Sequence, residues 1–253
     1  VTDVTRAEMC AVACADAFAG SGRVLAHAVG TVPSIGARLA RLTSNPELAL
    51  SDGEAFLMAE PPPLGGTAAD GGVVEGWLPF RSVFDVLAAG RRHSMMGASQ
   101  VDRFGNQNIS RIGPDWNRPK RQLIGARGAP GNTVNHRTDY WVARHSPRVF
   151  VEAVDVVCGV GHDRARAHPS TALRFHDLGV VITDLAVLDY DGEGRLRIRT
   201  VHPGVTPDEV RARTGFPLDG PVAGRTRSPT AEELRLIREV IDPRGLRDRE
   251  VPG

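Results

Sequence analysis

Cysteine is scarce. Cys10, Cys14 and Cys158 are the only three in 253 residues, too few for a disulfide framework and in keeping with a reducing compartment. Cys10 and Cys14 share one face of a predicted helix, yet no His or Cys stands near them in sequence, so they read as small buried thiols rather than metal ligands. The eight histidines are scattered without His-Glu-x-x-His or a comparable spacing, and no metal is expected. No apolar run is long enough to cross a bilayer, and Val1 to Glu8 shows no basic region followed by an apolar core. A cytosolic protein without a membrane partner is therefore expected. With a net charge of +1 and interspersed acids and bases, nothing points to nucleic acid. Internal repeats, low-complexity tracts and clear linkers are lacking too.

What is present is a hydrophobic fraction of 41%, enough for a sizeable core, and one α/β domain over 1–253 is the expected organisation. Thr5 and Glu8 have capping-box spacing ahead of Met9, Val12, Ala13 and Phe18 on one helical face. Val24 to Val29 reads as a buried strand, Ser34 as the cap of a helix from Ile35 to Leu42, and Leu48 to Leu50 as a strand entering Ser51-Asp52-Gly53-Glu54. Pro61 to Gly72 is expected to be irregular and exposed, as a flap. Phe80, Val83, Phe84 and Leu87 predict an amphipathic helix closing at Gly90. Further on, Val149 to Val157 reads as a long apolar strand. Ala186 to Leu188 and Leu196 to Thr200 read as a hairpin around Asp191-Gly192-Glu193-Gly194. Thr206-Pro207 and Thr230 to Glu233 predict two more helix starts.

The chain is organised around Met96 to Asn108. Gly97-Ala98 follows a predicted strand, Arg92 to Met96, at the sheet edge where open α/β folds bind ligands, and Gly105-Asn106 is a turn signal. A second glycine-rich stretch, Gly125 to Asn132, lets backbone amides approach a ligand closely, although its spacing is neither a Walker loop nor a dinucleotide fingerprint.

In order, Met96 to Asp102 with Gly105 to Asn108, then Gly125 to Asn132, then Val201-His202-Pro203-Gly204-Val205-Thr206-Pro207 with Thr214-Gly215-Phe216, then Leu236-Ile237-Arg238 with Ile241-Asp242-Pro243, resemble the β subunit of class I coenzyme A transferases, glutaconate CoA-transferase in particular. The resemblance covers nearly the whole chain. It implies an open, mostly parallel sheet flanked by helices (CoA transferase, NagB/RpiA-like), with a β-hairpin and C-terminal helices. It also implies an α-type partner subunit, usually in an α2β2 heterotetramer, and an acyl-CoA thioester at the subunit interface. No cofactor is implied beyond the CoA of the substrate itself.

One position breaks the transferase pattern. That family carries its nucleophilic glutamate two residues before a glycine, and here the glycine is Gly53 and the earlier residue is Ser51. A hydroxyl does not replace a carboxylate in that exchange without its own base. Glu75 to Phe80, Gly90 to His93, Val149 to Gly159 and Asp242-Pro243 with Leu246 to Glu250 are similar to the β subunits of actinobacterial cholesterol ring-cleaving hydrolases, which share the loss. This resemblance implies that water opens the last steroid ring of a cyclic keto acyl-CoA thioester, with a base on the α subunit. The substrate- and CoA-binding residues then expected here are Ser51, Asp52, Gly97, Ala98, Gln100, Asn106, Gly125, Arg127, Gly128, Ala129, Gly131 and Asn132. Among them Arg127 is a partner for a substrate carboxylate. Gln100, Asn106 and Asn108 either hold the loop or touch the ligand, and holding the loop is the favoured reading. Two alternatives stay open: a true transferase using Asp52 or Glu54, and a lone structural or regulatory subunit.

Overall fold

The computed structural model describes residues 3–53, 55–66, 72–169 and 174–252. The chain divides into two compact units, Val1–Met96 with Arg227–Gly253, and Gly97–Thr226.

The first unit begins with α1 (Arg6–Ala19), whose capping box is formed as the sequence predicts: Thr5 Oγ1 accepts from the Glu8 amide and Glu8 Oε2 from the Thr5 amide. The helix is buried on nearly every side, Cys10 and Cys14 included, as an apolar helix inside a core must be. After β1 (Leu25–Ala28) comes α2 (Thr31–Leu42), which starts earlier than the predicted Ile35. Gly30, at φ 119°, turns the chain into the helix. Pro33 sits in the first turn, where its missing N–H has no intrahelical bond to lose. Ser34 is thus inside the helix, and its hydroxyl donates to the Ala28 carbonyl rather than capping. Helices α1 and α2 approach closely at Gly36, where a Cβ would lie 3.0 Å from the Ala11 carbonyl oxygen and the Ala15 nitrogen.

Strands β2 (Leu50–Ser51), β3 (Phe56–Glu60) and β4 (Val73–Trp77) form an antiparallel sheet. The predicted flap lies between β3 and β4, and 67–71 fall outside the described residues. Helix α3 (Ser82–Ala88) forms where its periodicity predicts but buries none of its residues. Phe80 is 72% and Phe84 58% exposed, and Trp77 on β4 is 71% exposed. Strand β5 (Arg92–Gly97) pairs in parallel with β1.

The second unit opens with β6 (Gln100–Val101) and β7 (Gln107–Asn108), an antiparallel pair turning at Gly105, φ 81°. A smaller pair follows, β8 (Arg111–Ile112) with β9 (Arg121–Gln122), then α4 (Ala129–Asn135) and β10 (Arg137–Val142). The predicted strand from Val149 to Val157 does not form. Only Phe150 makes a bridge there, to Val101. Glu152 and Asp155 interrupt the run, and the Asp155 carboxylate turns aside to accept from Gln100 Nε2 and the Gly113 amide. Helix α5 (His162–Arg166) leads to β11 (Asp177–Thr183), β12 (Ala186–Tyr190) and β13 (Leu196–Val201), then α6 (Pro207–Ala212) and β14 (Gly224–Arg225). Strand β10 is parallel to β11 and β13 to β14, while β11–β12–β13 is an antiparallel meander that contains the predicted hairpin. The chain then returns to the first unit through α7 (Ala231–Arg235), a π-helical segment Leu236–Ile241, and α8 (Arg247–Glu250). Among the described pairings of β1, β5 and β10 to β14, β1–β5, β10–β11 and β13–β14 are parallel and β11–β12 and β12–β13 antiparallel, as in a mostly parallel α/β fold.

Candidate functional site

In the first unit a cavity of about 420 Å³ opens between β1, the start of α2 and the β2–β3 turn. Ser51 and Asp52 line it, as do His27, Ser34, Arg38 and Arg92. Aliphatic side chains, Leu25, Leu50 and Val83 among them, and the Phe56 ring supply the rest of the wall. The Ser51 hydroxyl accepts from the Gly53 amide at 3.3 Å. Asp52 Oδ1 accepts from the amides of Ala55 and Phe56, each at 3.0 Å, so this carboxylate oxygen closes the β2–β3 turn. Glu54, the other carboxylate considered for a transferase, lies outside the described residues. His27 Nδ1 is bonded to Ser94 Oγ at 3.0 Å.

Arg38 and Arg92 were not expected from the sequence to line a pocket. Burial depresses both guanidinium pKa values below the ordinary one. Arg38 lies one helical turn after Ser34, and its Nη1 donates to the Ser34 carbonyl at 3.3 Å. That spacing was the only local signal, and by itself it describes any surface arginine on a helix.

The second unit carries the other predicted residues. Gly97 and Ala98 are half-buried at the end of β5, and Gln107 Nε2 holds the Gly97 carbonyl at 2.6 Å. Nothing lies within 4 Å of where a Gly97 Cβ would be. Gln100 is buried, donating to Asp155 at 2.9 Å and accepting from Asn108 Nδ2 at 2.7 Å and the Asp155 amide at 3.0 Å. Asn106 donates to Asp102 and Asp163, both at 2.9 Å, and accepts from the Gly161 amide at 2.8 Å. Asn108 donates to the Arg111 carbonyl and accepts from the Ser110 amide. These three side chains have their amide groups engaged within the protein, with nearby partners at Asp102, Ser110 and Arg111 and distant ones at Asp155, Gly161 and Asp163, the geometry of residues that hold a loop in place. Burial raises the Asp102 carboxyl above its usual value against the bonds from Asn106 and the Phe104 and Asn106 amides; nearby Asp163 adds to the rise.

In the glycine-rich stretch Gly125 has φ 87° and Arg127 a left-handed φ of 49°. Arg127 and Gly128 are exposed, Gly131 is half-buried, and Ala129 and Asn132 are buried on the inner face of α4. No atom lies within 4 Å of a Cβ placed on Gly125, so its backbone is open to approach.

A sequence profile of the family "Coenzyme A transferase" matches residues 83–213. Over its full length the chain is 54% identical to the cholesterol ring-cleaving hydrolase IpdB subunit of Rhodococcus jostii RHA1, covering 99% of this chain and 98% of that one. This chain belongs to the coenzyme A transferase family. Among solved structures of the family, that of Rhodococcus jostii RHA1 IpdAB superposes with a TM-score of 0.92 at 53% identity, covering 100% of both chains. Glutaconate coenzyme A-transferase from Acidaminococcus fermentans superposes at 0.80 with 28% identity, covering 96% of both. For this coenzyme A transferase family member, the cavity that holds Ser51 is thus set within a transferase fold, at the strand end where the resemblance puts the transferases' glutamate.

Proposed function

We propose that this chain is the β subunit of a heteromeric hydrolase that opens the last ring of a cyclic keto acyl-CoA thioester in cholesterol catabolism. In the reaction water adds to the ring ketone, and the resulting oxyanion collapses with cleavage of the bond to the thioester α-carbon. The electron pair passes to that carbon as a thioester enolate and is then protonated, leaving a new carboxylate on the opened chain. Such a step needs a base for the water and donors for the oxyanion. What carries the reading is Ser51: it lines the cavity, the resemblance sets it where the transferases have their glutamate, and among the described residues its hydroxyl bonds the Gly53 amide. The base is assigned to an α-type partner in an α2β2 assembly, and residues 1–253 act as one cytoplasmic subunit of lipid metabolism. Exposed Trp77, Phe80 and Phe84 support a chain that works in an assembly, since large rings left in water mark contact surfaces.

Gly97, Ala98 and the stretch Gly125, Arg127, Gly128, Ala129, Gly131 and Asn132 then supply amides and polar contacts to the thioester and its CoA arm, with Gln100 and Asn106 holding that edge in shape. Ser51 lines the acyl pocket, and Asp52 shapes it by closing the turn. No separate cofactor or metal enters the scheme.

The test is Ser51→Ala in the assembled enzyme. Turnover of the ring thioester is expected to stay within about threefold of the parent, whereas loss of a covalent nucleophile would lower it by about a hundredfold or more. Carried out in ¹⁸O-labelled water without an acceptor acid, the same assay should place one label in the new carboxylate. A requirement for an acceptor acid would favour the transferase.

A further inference from the structure

The side chain of Gln107 is fully buried yet only half satisfied. Its Nε2 donates to the Gly97 carbonyl at 2.6 Å, whereas no donor among the described residues reaches its Oε1. The amide cannot be turned round, since its oxygen would then face the Gly97 oxygen, acceptor against acceptor. A buried acceptor without a donor costs stability, and an apolar side chain of equal length would avoid that cost. Packing alone therefore gives no reason for a glutamine at this position. The donor it aims at Gly97 does.

The backbone makes that donor rigid. Gln107 lies opposite Val101 of β6 on one side and is bridged to Gly159 on the other. Its amide donates to the Gly159 carbonyl at 3.0 Å, and its carbonyl accepts from the amides of Cys158 at 2.8 Å and Gly159 at 3.1 Å. Gly159 leaves room for the side chain, because a Cβ there would lie 3.1 Å from Gln107 Oε1 and 3.3 Å from its Cβ. The carbonyl that Gln107 holds belongs to the peptide joining Gly97 to Ala98. A trans peptide is planar and directs its N–H opposite to its C=O, so fixing this carbonyl toward buried Gln107 aims the Ala98 amide the other way. Space beside Gly97 is open, with nothing within 4 Å of where its Cβ would be.

We propose that Gln107 is a positioning residue that presets the Ala98 amide as a donor to the thioester oxygen of the substrate. The proposal rests on the hydrolase reading above and deepens it. When the ring carbon–carbon bond breaks, its electron pair passes to the α-carbon and spreads onto the thioester oxygen. The Ala98 N–H stabilises that charge and keeps its proton. Such a bond strengthens as the charge develops, so its placement bears on turnover more than on binding of the neutral thioester.

The test compares the assembled two-subunit parent with Gln107→Met, which keeps the length and loses the donor. For the ring thioester, kcat is expected to fall about 10- to 100-fold, the effect of a misplaced group, with KM within about threefold. Two probes that cannot be cleaved give a readout apart from turnover. One is carboxymethyldethia-coenzyme A, whose carboxylate stands for the enolate oxygen; the other is the neutral methyl ketone with a methylene in place of the thioester sulfur. The parent should bind the carboxylate about 10- to 100-fold more tightly than the ketone, the range for a hydrogen bond to a charged group. Gln107→Met should lower that preference about tenfold, the step that 1.4 kcal/mol makes, and should bind free coenzyme A as the parent does. An unchanged kcat, a loss confined to KM, or an undiminished preference in Gln107→Met overturns the proposal. A loss of free coenzyme A binding overturns it too, by assigning Gln107 to the CoA arm. Should Gln107→Met fail to assemble, Gln107→Asn, one methylene too short to reach Gly97, is read by the same criteria. Hydrolysis of the ring thioester by the parent bears on the hydrolase reading alone, and the two analogues test the amide independently of it.

Discussion

Replacing Glu8 with alanine is expected to lower folding stability by about 3–5 kcal/mol, the range for removing one partner of a buried ion pair. The Glu8 side chain is fully buried and receives Arg238 Nε at 2.7 Å and Nη2 at 2.8 Å, with Arg247 Nη2 at 3.1 Å. Arg247, itself 9% exposed, also donates to Asp242 at 3.0 Å. Without Glu8, Arg238 loses the carboxylate it is hydrogen-bonded to and Arg247 loses one of its three carboxylate neighbours, while the α1 capping box loses its acidic member. Burial works to raise the Glu8 carboxyl, but the Arg238 hydrogen bond, the Thr5 amide and the charges of Arg238 and Arg247 outweigh it, so the pKa lies below the ordinary 4.5. A lowered folded-state pKa gives stability that is complete above the unfolded value and lost as the pH falls through the folded one. The gap between parent and Glu8→Ala should therefore be widest near neutral pH and narrow below pH 4.5. Denaturant titrations at several pH values check this, and a neutral-pH difference of under about 1 kcal/mol would show that the network is worth no more than a surface pair.

Removing the partner subunit should have the largest effect on activity. General base catalysis contributes about 10²- to 10⁴-fold, and the reading proposed above assigns the base to the partner; among the described residues of the cavity Ser51 bonds an amide, Asp52 Oδ1 closes a turn, and His27 Nδ1 is bonded to Ser94. The chain alone is expected to hydrolyse the ring thioester at least that much more slowly than the chain mixed with an α-type subunit. Steady-state rates of the two preparations at equal chain concentration settle the matter, and equal rates would require a base in this polypeptide.

The elements legible in the sequence were those fixed by neighbours along the chain. Thr5 with Glu8, Thr206 with Glu209 and Thr230 with Glu233 each mark a helix start that forms, because a cap is satisfied within four residues. The β12–β13 hairpin was equally plain, since Asp191 and Gly194 close it locally. Strands β3 and β4 were missed, because their pairing joins segments separated by the flap and half of their side chains face outward. Val149 to Val157 misled for the opposite reason: its composition is that of a strand, but Asp155 is held by Gln100 and Gly113 from far along the chain. Helix α3 was found by its period, yet the period says nothing about what covers the apolar face.

The candidate site divides the same way. Ser51 stood out because a resemblance supplied the residue it replaces. Gln100, Asn106 and Asn108 were recognised as polar groups beside a turn, but their bonds to Asp155, Gly161 and Asp163 join segments far apart in the sequence and were not legible in it. Arg38 was invisible, because a single arginine on an amphipathic helix reads as solvated until the β2–β3 turn places a wall opposite it.

The account turns on this chain shaping an acyl pocket without becoming acylated. Mass spectrometry of the assembled enzyme, quenched during turnover with borohydride and hydroxylamine present, tests it directly. The account predicts an unmodified chain, with Ser51, Asp52 and Glu54 at their native masses while product accumulates. A reduced or hydroxamate-bearing carboxylate at Asp52 or Glu54, or an acyl group on Ser51, would contradict it.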